Sequence, residues 1–175
     1  MEVVWTRVGA YALCRDGARS LLSRFAALGH PDHGKWTMPG GGMEWSESAR
    51  ETAHRELREE TGLTATLGDV AGVFSRWFTA QESARGETGH LVCIVFHASE
   101  LSGELRKEFD DEDTTDAVQW FPTDDVEALP HVELVDFVLE LASGGLPPKP
   151  WRLSDWCLSM TSARTPVPPG SFESL

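Results

Sequence analysis

A glycine-rich turn followed by acidic residues at fixed distances constrains this chain more than any other feature of its sequence. The turn is Pro39-Gly40-Gly41-Gly42, and the segment after it reads Glu47-x7-Arg55-Glu56-Leu57-x-Glu59-Glu60-x-Gly62-Leu63. Ser48 and Glu51 have the spacing of a capping box, and glycine is common just past a helix end. The segment therefore predicts a turn, a helix over residues 47–60, and a second turn at Gly62.

Three carboxylates of this predicted helix lie on one face. Glu56, Glu59 and Glu60 are three or four residues apart, which places them within about 100° of each other around the helix axis. Unpaired anions at such spacing repel each other, so the arrangement calls for a counter-charge. Mg²⁺ or Mn²⁺ would supply it, because such hard cations prefer oxygen ligands. The alternative is a solvated helix face balanced by neighbouring arginines, but the preceding glycines favour a metal site.

At every fixed position the segment resembles the box of the Nudix hydrolase family. The matching residues are Gly41, Glu47, Arg55, Glu56, Leu57, Glu59, Glu60, Gly62 and Leu63. The resemblance implies an α/β protein, with a mixed β-sheet in an α/β/α sandwich over about residues 3–142. It also implies metal-dependent hydrolysis of a nucleoside diphosphate linked to another group.

The resemblance further implies roles for residues of the box. Glu56, Glu59 and Glu60 become metal ligands, joined by a backbone carbonyl of the turn, which we assign to Gly41 with Gly40 as the alternative. Glu47 and Arg55 become supporting residues, since arginine can pair with a carboxylate through two hydrogen bonds and fix the helix relative to the turn.

A general base is needed to deprotonate the attacking water, and the sequence offers two sources. Glu59 is the candidate within the box. The acidic run Glu108, Asp110, Asp111, Glu112 and Asp113 is the other source, in the loop before the strand that contains Trp120. We favour Glu112, although an acidic run of this kind is often only solvated.

Substrate-binding residues are predicted outside the box. Arg24 lies where similar proteins often carry an arginine near the phosphates, and Trp77 and Trp120 could stack on a base; surface charge and core packing are the alternatives. The chain most resembles the compact MutT-like members that act on nucleoside triphosphates. ADP-ribose or a nucleotide sugar is the second expectation for the substrate.

Two other function classes remain as alternatives. Some proteins with this fold bind nucleotides as regulators without hydrolysing them, but loss of a box carboxylate would be expected there and none is lost. Isomerases of diphosphate esters on the same fold need a reactive cysteine, whereas Cys93 lies in a predicted strand and is expected in the core.

The rest of the chain predicts alternating strands and helices. Strands are expected over residues 3–14, 20–25, 64–78, 91–98 and 117–121, the first two as a hairpin. A last helix is expected over residues 131–142, with Val132, Val135, Leu139 and Ala142 on its inner face.

Composition limits partners and location. The net charge of −13, from 28 acidic and 15 basic residues, argues against a surface for long nucleic acid. We see neither a signal peptide nor an apolar stretch that could span a bilayer. Three cysteines without metal-ligand spacing suggest reduced thiols. We expect a cytoplasmic monomer or homodimer that binds a small nucleotide substrate and no membrane.

The domain organisation follows from a change in composition near the C-terminus. Residues 1–143 have ordinary globular composition, and the resemblance implies that they form one Nudix hydrolase domain. Residues 144–175 form a Pro/Gly-rich appendix that also contains an apolar stretch, residues 151–160. We expect this stretch to dock on the domain or on a second subunit.

Overall fold

The computed structural model describes residues 4–83, 85–110 and 113–142 of the 175-residue chain. Its β-strands are β1 (Trp5–Asp16), β2 (Arg19–Phe25), β3 (Trp36–Thr37), β4 (Gly40–Gly42), β5 (Leu63–Phe78), β6 (Gly89–Gly103) and β7 (Thr115–Pro122). Its helices are α1 (Ala49–Thr61), α2 (Glu133–Ala142) and a short 3-10 helix over Thr123–Ala128. The predicted appendix lies outside the described residues, so its docking stays a prediction.

The sheet is mixed and is assembled around β1. This strand pairs in parallel with β6, from Trp5 opposite Gly89 to Cys14 opposite Ala98. β1 pairs antiparallel with β2 at the predicted hairpin. It also pairs antiparallel with β4, along the edge opposite to β6. β5 extends the sheet beyond β6, while β3 and β7 both pair with β2. A parallel pair needs a long connection between its strands, and here that connection contains α1.

The two α-helices cover opposite faces of this sheet. The α1 side is filled by buried apolar residues: Ala10, Ala12, Cys14, Leu21, Ala53 and Leu57. The α2 side is filled by another buried set: Leu13, Leu22, Trp36, Phe74, Phe137 and Val138. The neighbours Ala12 and Leu13 belong to different sets because successive side chains of a strand point to opposite faces. The predicted α/β/α sandwich is confirmed.

The helix of the box begins slightly later than predicted. Ser48 is its N-cap, since its hydroxyl accepts the Glu51 backbone N–H and the Glu51 carboxylate accepts the Ser48 backbone N–H at 2.8 Å. The predicted capping box is therefore confirmed. Gly62 ends the helix with a φ of +75°, which favours glycine. Glu47 lies before the helix, where its side chain can turn back along it.

Two local predictions are wrong in part. Residues 40–42 do not form only a turn, because they pair with residues 9–11 of β1. The inner face of the last helix includes Leu134, Val135, Phe137 and Val138, and the predicted Val132 and Leu139 are partly buried against the same core, whereas Ala142 is exposed. The helix begins at Glu133, and residues at i, i+1, i+3 and i+4 face the sheet. Within the described residues, no helix has the length and apolar character needed to cross a membrane.

Candidate active site

The glycines of β4 let the chain pass between β1 and the carboxylates of α1. A Cβ added to Gly41 would collide with the carboxylate of Glu56, and one added to Gly40 would lie 2.5 Å from the Ala10 carbonyl oxygen. Gly40 also has a φ of +150°, a value that side chains disfavour. The absence of side chains at these positions therefore brings the backbone of the turn against the acidic face of α1.

Glu60 is a buried carboxylate held by neutral donors. Only 8% of this residue is exposed. Its carboxylate accepts hydrogen bonds from Thr115 Oγ1 at 2.8 Å and from Ser23 Oγ and the Gly40 backbone N–H, both at 3.1 Å. Burial raises the pKa of Glu60 to about 7, against these hydrogen bonds. Three dipoles therefore orient this anion, but none of the three donors carries a positive charge.

Glu56 and Glu59 differ from Glu60 in contacts and exposure. The Glu56 side chain is 15% exposed, and Arg55 donates to it at 2.9 Å. Burial raises the pKa of Glu56, although Arg55 opposes the shift. The Glu59 side chain is 59% exposed and lies 3.1 Å from the same guanidinium nitrogen. The three carboxylates on this side of α1 thus differ widely in exposure, with Glu59 the most exposed and Glu60 the most buried.

Arg55 and Glu47 form the support predicted from the sequence pattern. The Arg55 guanidinium donates to both carboxylate oxygens of Glu47, from Nε at 2.7 Å and from Nη2 at 2.9 Å. Thr52 and the Glu44 backbone N–H donate to the same carboxylate. Led by the hydrogen bonds from Arg55, these contacts lower the pKa of Glu47 to about 2. The pair fixes the segment before α1 against the helix itself.

The donor set fits a hard divalent cation. All of the groups at this site are oxygen donors, and two of the carboxylates have pKa values raised by burial, so a cation would relieve an unfavourable charge. No three His, Cys, Asp or Glu side chains among the described residues form a ready-made metal cage. A bound cation would therefore also need oxygens from the backbone, the substrate or water.

The two candidate carbonyls of the turn point in different directions. A Cβ added to Gly9 would lie 2.9 Å from the Gly41 oxygen, so that oxygen faces β1. Successive carbonyls of an extended strand point to opposite edges. Since β1 is the one strand that pairs with β4 in the described sheet, the Gly40 carbonyl points to the unpaired edge. This geometry favours Gly40 over Gly41 as an oxygen ligand.

The residues predicted to bind substrate do not gather at one place. Arg24 pairs with Asp116 at 2.7 Å and follows Ser23, so its side chain leaves the opposite face of β2 from the one that reaches Glu60. Trp77 stacks on His90 at a centroid distance of 4.0 Å. Trp120 lines a separate cavity of about 560 Å³ near the β1–β2 hairpin.

Asp113 of the acidic run is tied to the end of α1, whereas Asp111 and Glu112 lie outside the described residues. Arg106 donates to the Glu59 carbonyl at 2.9 Å and to the Asp113 carboxylate at 2.7 Å. A hydrogen bond from the Asp110 backbone N–H, followed by those from Arg106, lowers the pKa of Asp113. Arg106 therefore ties the described ends of this loop to the helix that carries the candidate metal ligands.

Ser23 and Thr115 are site residues that the sequence did not reveal. Each is a small hydroxyl residue in a strand, and the only available signal is a polar residue at an inward position after Leu21-Leu22 in β2. Cys14 and Cys93 are fully buried, and burial raises the pKa of each thiol to about 12. Both thiols are thus unsuited to act as nucleophiles.

Comparisons with known proteins find relatives of this chain in both sequence and fold. The sequence profile described as NUDIX domain matches residues 5–140. An ADP-ribose pyrophosphatase of Methanocaldococcus jannaschii is 35% identical over 77 residues, which are 44% of this chain and 42% of that protein. The nucleoside triphosphatase NudI of Klebsiella pneumoniae is 30% identical over 104 residues, 57% of this chain and 74% of that protein.

A solved structure extends the similarity to the fold. The MutT NUDIX hydrolase from Burkholderia pseudomallei superposes with a TM-score of 0.66 at 29% sequence identity, covering 78% of this chain and 97% of that one. The similarity therefore extends over most of the chain, and the sequence match over residues 5–140 includes the box.

Proposed function

This chain belongs to the Nudix family, and we propose that it is a hydrolase that uses Mg²⁺ or Mn²⁺ to cleave a phosphoanhydride bond. The substrate is a nucleoside diphosphate linked to another group, and a nucleoside triphosphate is our first candidate. The observation that carries the proposal is the buried carboxylate of Glu60, which meets three neutral donors and no positive charge beside the glycine turn. Such an anion is best explained by a cation that binds during function.

Glu56, Glu59, Glu60 and the Gly40 carbonyl would hold the divalent ions, with Gly41 as the second carbonyl candidate. When bound, the ions neutralise the diphosphate and stabilise the leaving group. The paired hydrogen bonds between Arg55 and Glu47 hold the carboxylates of α1 in place relative to the turn. Ser23 and Thr115 orient Glu60 from the neighbouring strands.

Proton transfer requires a carboxylate at the attacking water. The water oxygen forms a bond to phosphorus, the anhydride P–O bond breaks, and the water proton passes to the base. Glu59 is suited to this role because its side chain is 59% exposed, so a water can reach its carboxylate. Glu112 is the other candidate, supported by the contact of its loop with the Glu59 carbonyl through Arg106.

Variants distinguish the two bases. One of the two variants, Glu59→Gln or Glu112→Gln, should remove the base. We expect that variant to lower kcat by about 10²–10⁴-fold. Thermal unfolding with and without Mg²⁺ separates the roles, since loss of a base alone leaves the metal-dependent shift in Tm intact. If neither variant lowers kcat, the base is neither residue.

A nucleotide-sugar substrate is the second candidate. It is supported by the similarity to a protein named ADP-ribose pyrophosphatase, although the match spans less than half of that protein. The nucleoside triphosphatase match supports the first candidate in the same way, over a larger share of its relative.

A phosphate-release screen tests the proposal. Nucleoside triphosphates, ADP-ribose, dinucleoside polyphosphates and nucleotide sugars are incubated with the full chain, with Mg²⁺, with Mn²⁺, and with a chelator. We expect metal-dependent turnover of at least one class. Folded protein that binds a nucleotide but turns over none of these substrates with either metal would instead support the regulatory alternative.

A further inference from the structure

A second cavity adjoins the carboxylates, between the start of β1 and the glycine turn. Its volume is about 450 Å³, and its walls include Trp5, Arg7, Gly42, Glu56 and Arg85. Glu56 is also the carboxylate that lies against Gly41. The cavity is therefore continuous with the candidate metal site, and an extended substrate bound at that site would reach into it.

Two guanidinium groups, those of Arg7 and Arg85, line this cavity together with the carboxylates of Glu44 and Glu56. Five other arginines bind carboxylates, namely Arg19, Arg24, Arg55, Arg76 and Arg106. Neither Arg7 nor Arg85 lies within ion-pair distance of a carboxylate in the part of the chain that the structure describes, although the charge of Arg7 opposes the rise in the pKa of Glu56 that burial causes. A Cβ added to Gly42 would collide with the Arg7 guanidinium. The last glycine of the turn therefore allows this guanidinium to lie against the backbone.

Trp5 fixes the other wall of the cavity. It stacks on Phe78 at a centroid distance of 6.2 Å, and the Arg85 guanidinium lies over its ring at 5.4 Å. Gly89 accommodates the indole, because a Cβ at that position would overlap the ring. A guanidinium over an indole face is held by a cation–π interaction and keeps its N–H groups available to a ligand.

We propose that Arg7 and Arg85 form an anion subsite that binds a phosphate beyond the two phosphates held at the carboxylate site. Guanidinium groups bind phosphate through two parallel hydrogen bonds, which favours an ionised phosphate over a neutral sugar at this position. The subsite therefore selects nucleoside triphosphates over nucleoside diphosphates that end in a sugar. This inference rests on the proposed function, since it assumes a diphosphate next to Glu56.

Binding of inorganic triphosphate and pyrophosphate tests the subsite without requiring turnover. Dissociation constants are measured by calorimetry in Mg²⁺ for the wild type, Arg7→Gln, Arg85→Gln and the double variant. Arg15→Gln is the matched control, because Arg15 also lacks an ion-pair partner in the described structure but lines the other cavity. Thermal unfolding verifies that every variant is folded.

We expect Arg7→Gln to weaken triphosphate binding about tenfold or more, with pyrophosphate binding changed less than about twofold. The double variant should lose the preference for triphosphate, and Arg15→Gln should retain it. Equal losses for both anions, no loss for either, or no triphosphate binding by the wild type would overturn the subsite. Absence of turnover in the substrate screen would count against the proposed function alone, because the binding comparison does not depend on hydrolysis.

Discussion

The two ends of the box hold their glutamates in opposite ways. Before α1, Glu47 meets the Arg55 guanidinium, and its pKa falls to about 2. At the end of α1, Glu60 is buried among neutral donors, and its pKa rises to about 7. One carboxylate is thus neutralised within the protein, whereas the other is oriented but left without a charge partner. The difference separates a structural ion pair from a site that is prepared for an external cation.

Glu60→Gln should have the largest effect, because it removes the buried charge while preserving shape. We expect the activation free energy of the metal-dependent reaction to rise by about 2–4 kcal/mol. The increase in Tm on adding Mg²⁺ should also shrink. Glu127→Gln, on the exposed side of the 3-10 helix, is the control. A wild-type rate in Glu60→Gln would remove the metal-ligand assignment.

Thr115→Val should have a smaller effect, since it removes one of the three donors to Glu60 and retains the side-chain shape. The Mg²⁺ concentration for half-maximal activity should rise by about tenfold, a typical cost of losing a group that orients a metal ligand. Thr115→Ser retains the hydroxyl and should remain close to the wild type. Equal metal requirements in the two variants would show that the hydroxyl does not position Glu60.

Arg55→Lys tests the other end of the box. Lysine keeps the positive charge but cannot donate to both Glu47 oxygens in the same geometry. We expect the free energy of unfolding to fall by about 1–2 kcal/mol in urea denaturation. Arg58→Lys, at an exposed position of the same helix, should change it little. If the two substitutions have the same effect, the paired hydrogen bonds contribute nothing beyond charge.

The smallest effect should be the pH dependence of the difference in Tm between the wild type and Glu47→Gln. The pKa of Glu47 is lowered in the folded state from 4.5 to about 2, so the ionised group stabilises the fold above about pH 4.5 and this contribution is lost as pH falls towards 2. The Tm difference between wild type and variant should therefore shrink across that interval. A difference that stays constant would contradict the assignment, and Glu127→Gln again provides the reference.

Local structure at the box could be predicted from neighbouring residues. The capping box at Ser48 and Glu51 and the helix end at Gly62 depend on contacts within a few positions of the chain. The turn at residues 40–42 was predicted, but its pairing with β1 was not. That pairing depends on Gly9 and Ala10, which are distant in sequence and come close only when the sheet forms.

Residue type did not predict side-chain direction in the strands. Trp77 stays a predicted substrate contact, and in the structure it shares a sheet face with His90, its partner in β6. Phe78 is its neighbour in β5 and packs on Trp5 on the opposite face. A shift of one residue along a strand exchanges the two faces, and sequence alone did not fix that register.

The sequence by itself determined the helix of the box, the order of its carboxylates and the pairing of Arg55 with Glu47, because the first two depend on helical spacing and capping and the pair joins residues only eight positions apart. Only the tertiary structure decided that Glu60 is buried under Ser23 and Thr115, and that Arg7 faces the glycine turn. Those contacts join β1, β2, β7 and α1. They exist only after long-range strand pairing has set which side chains point towards the same cleft.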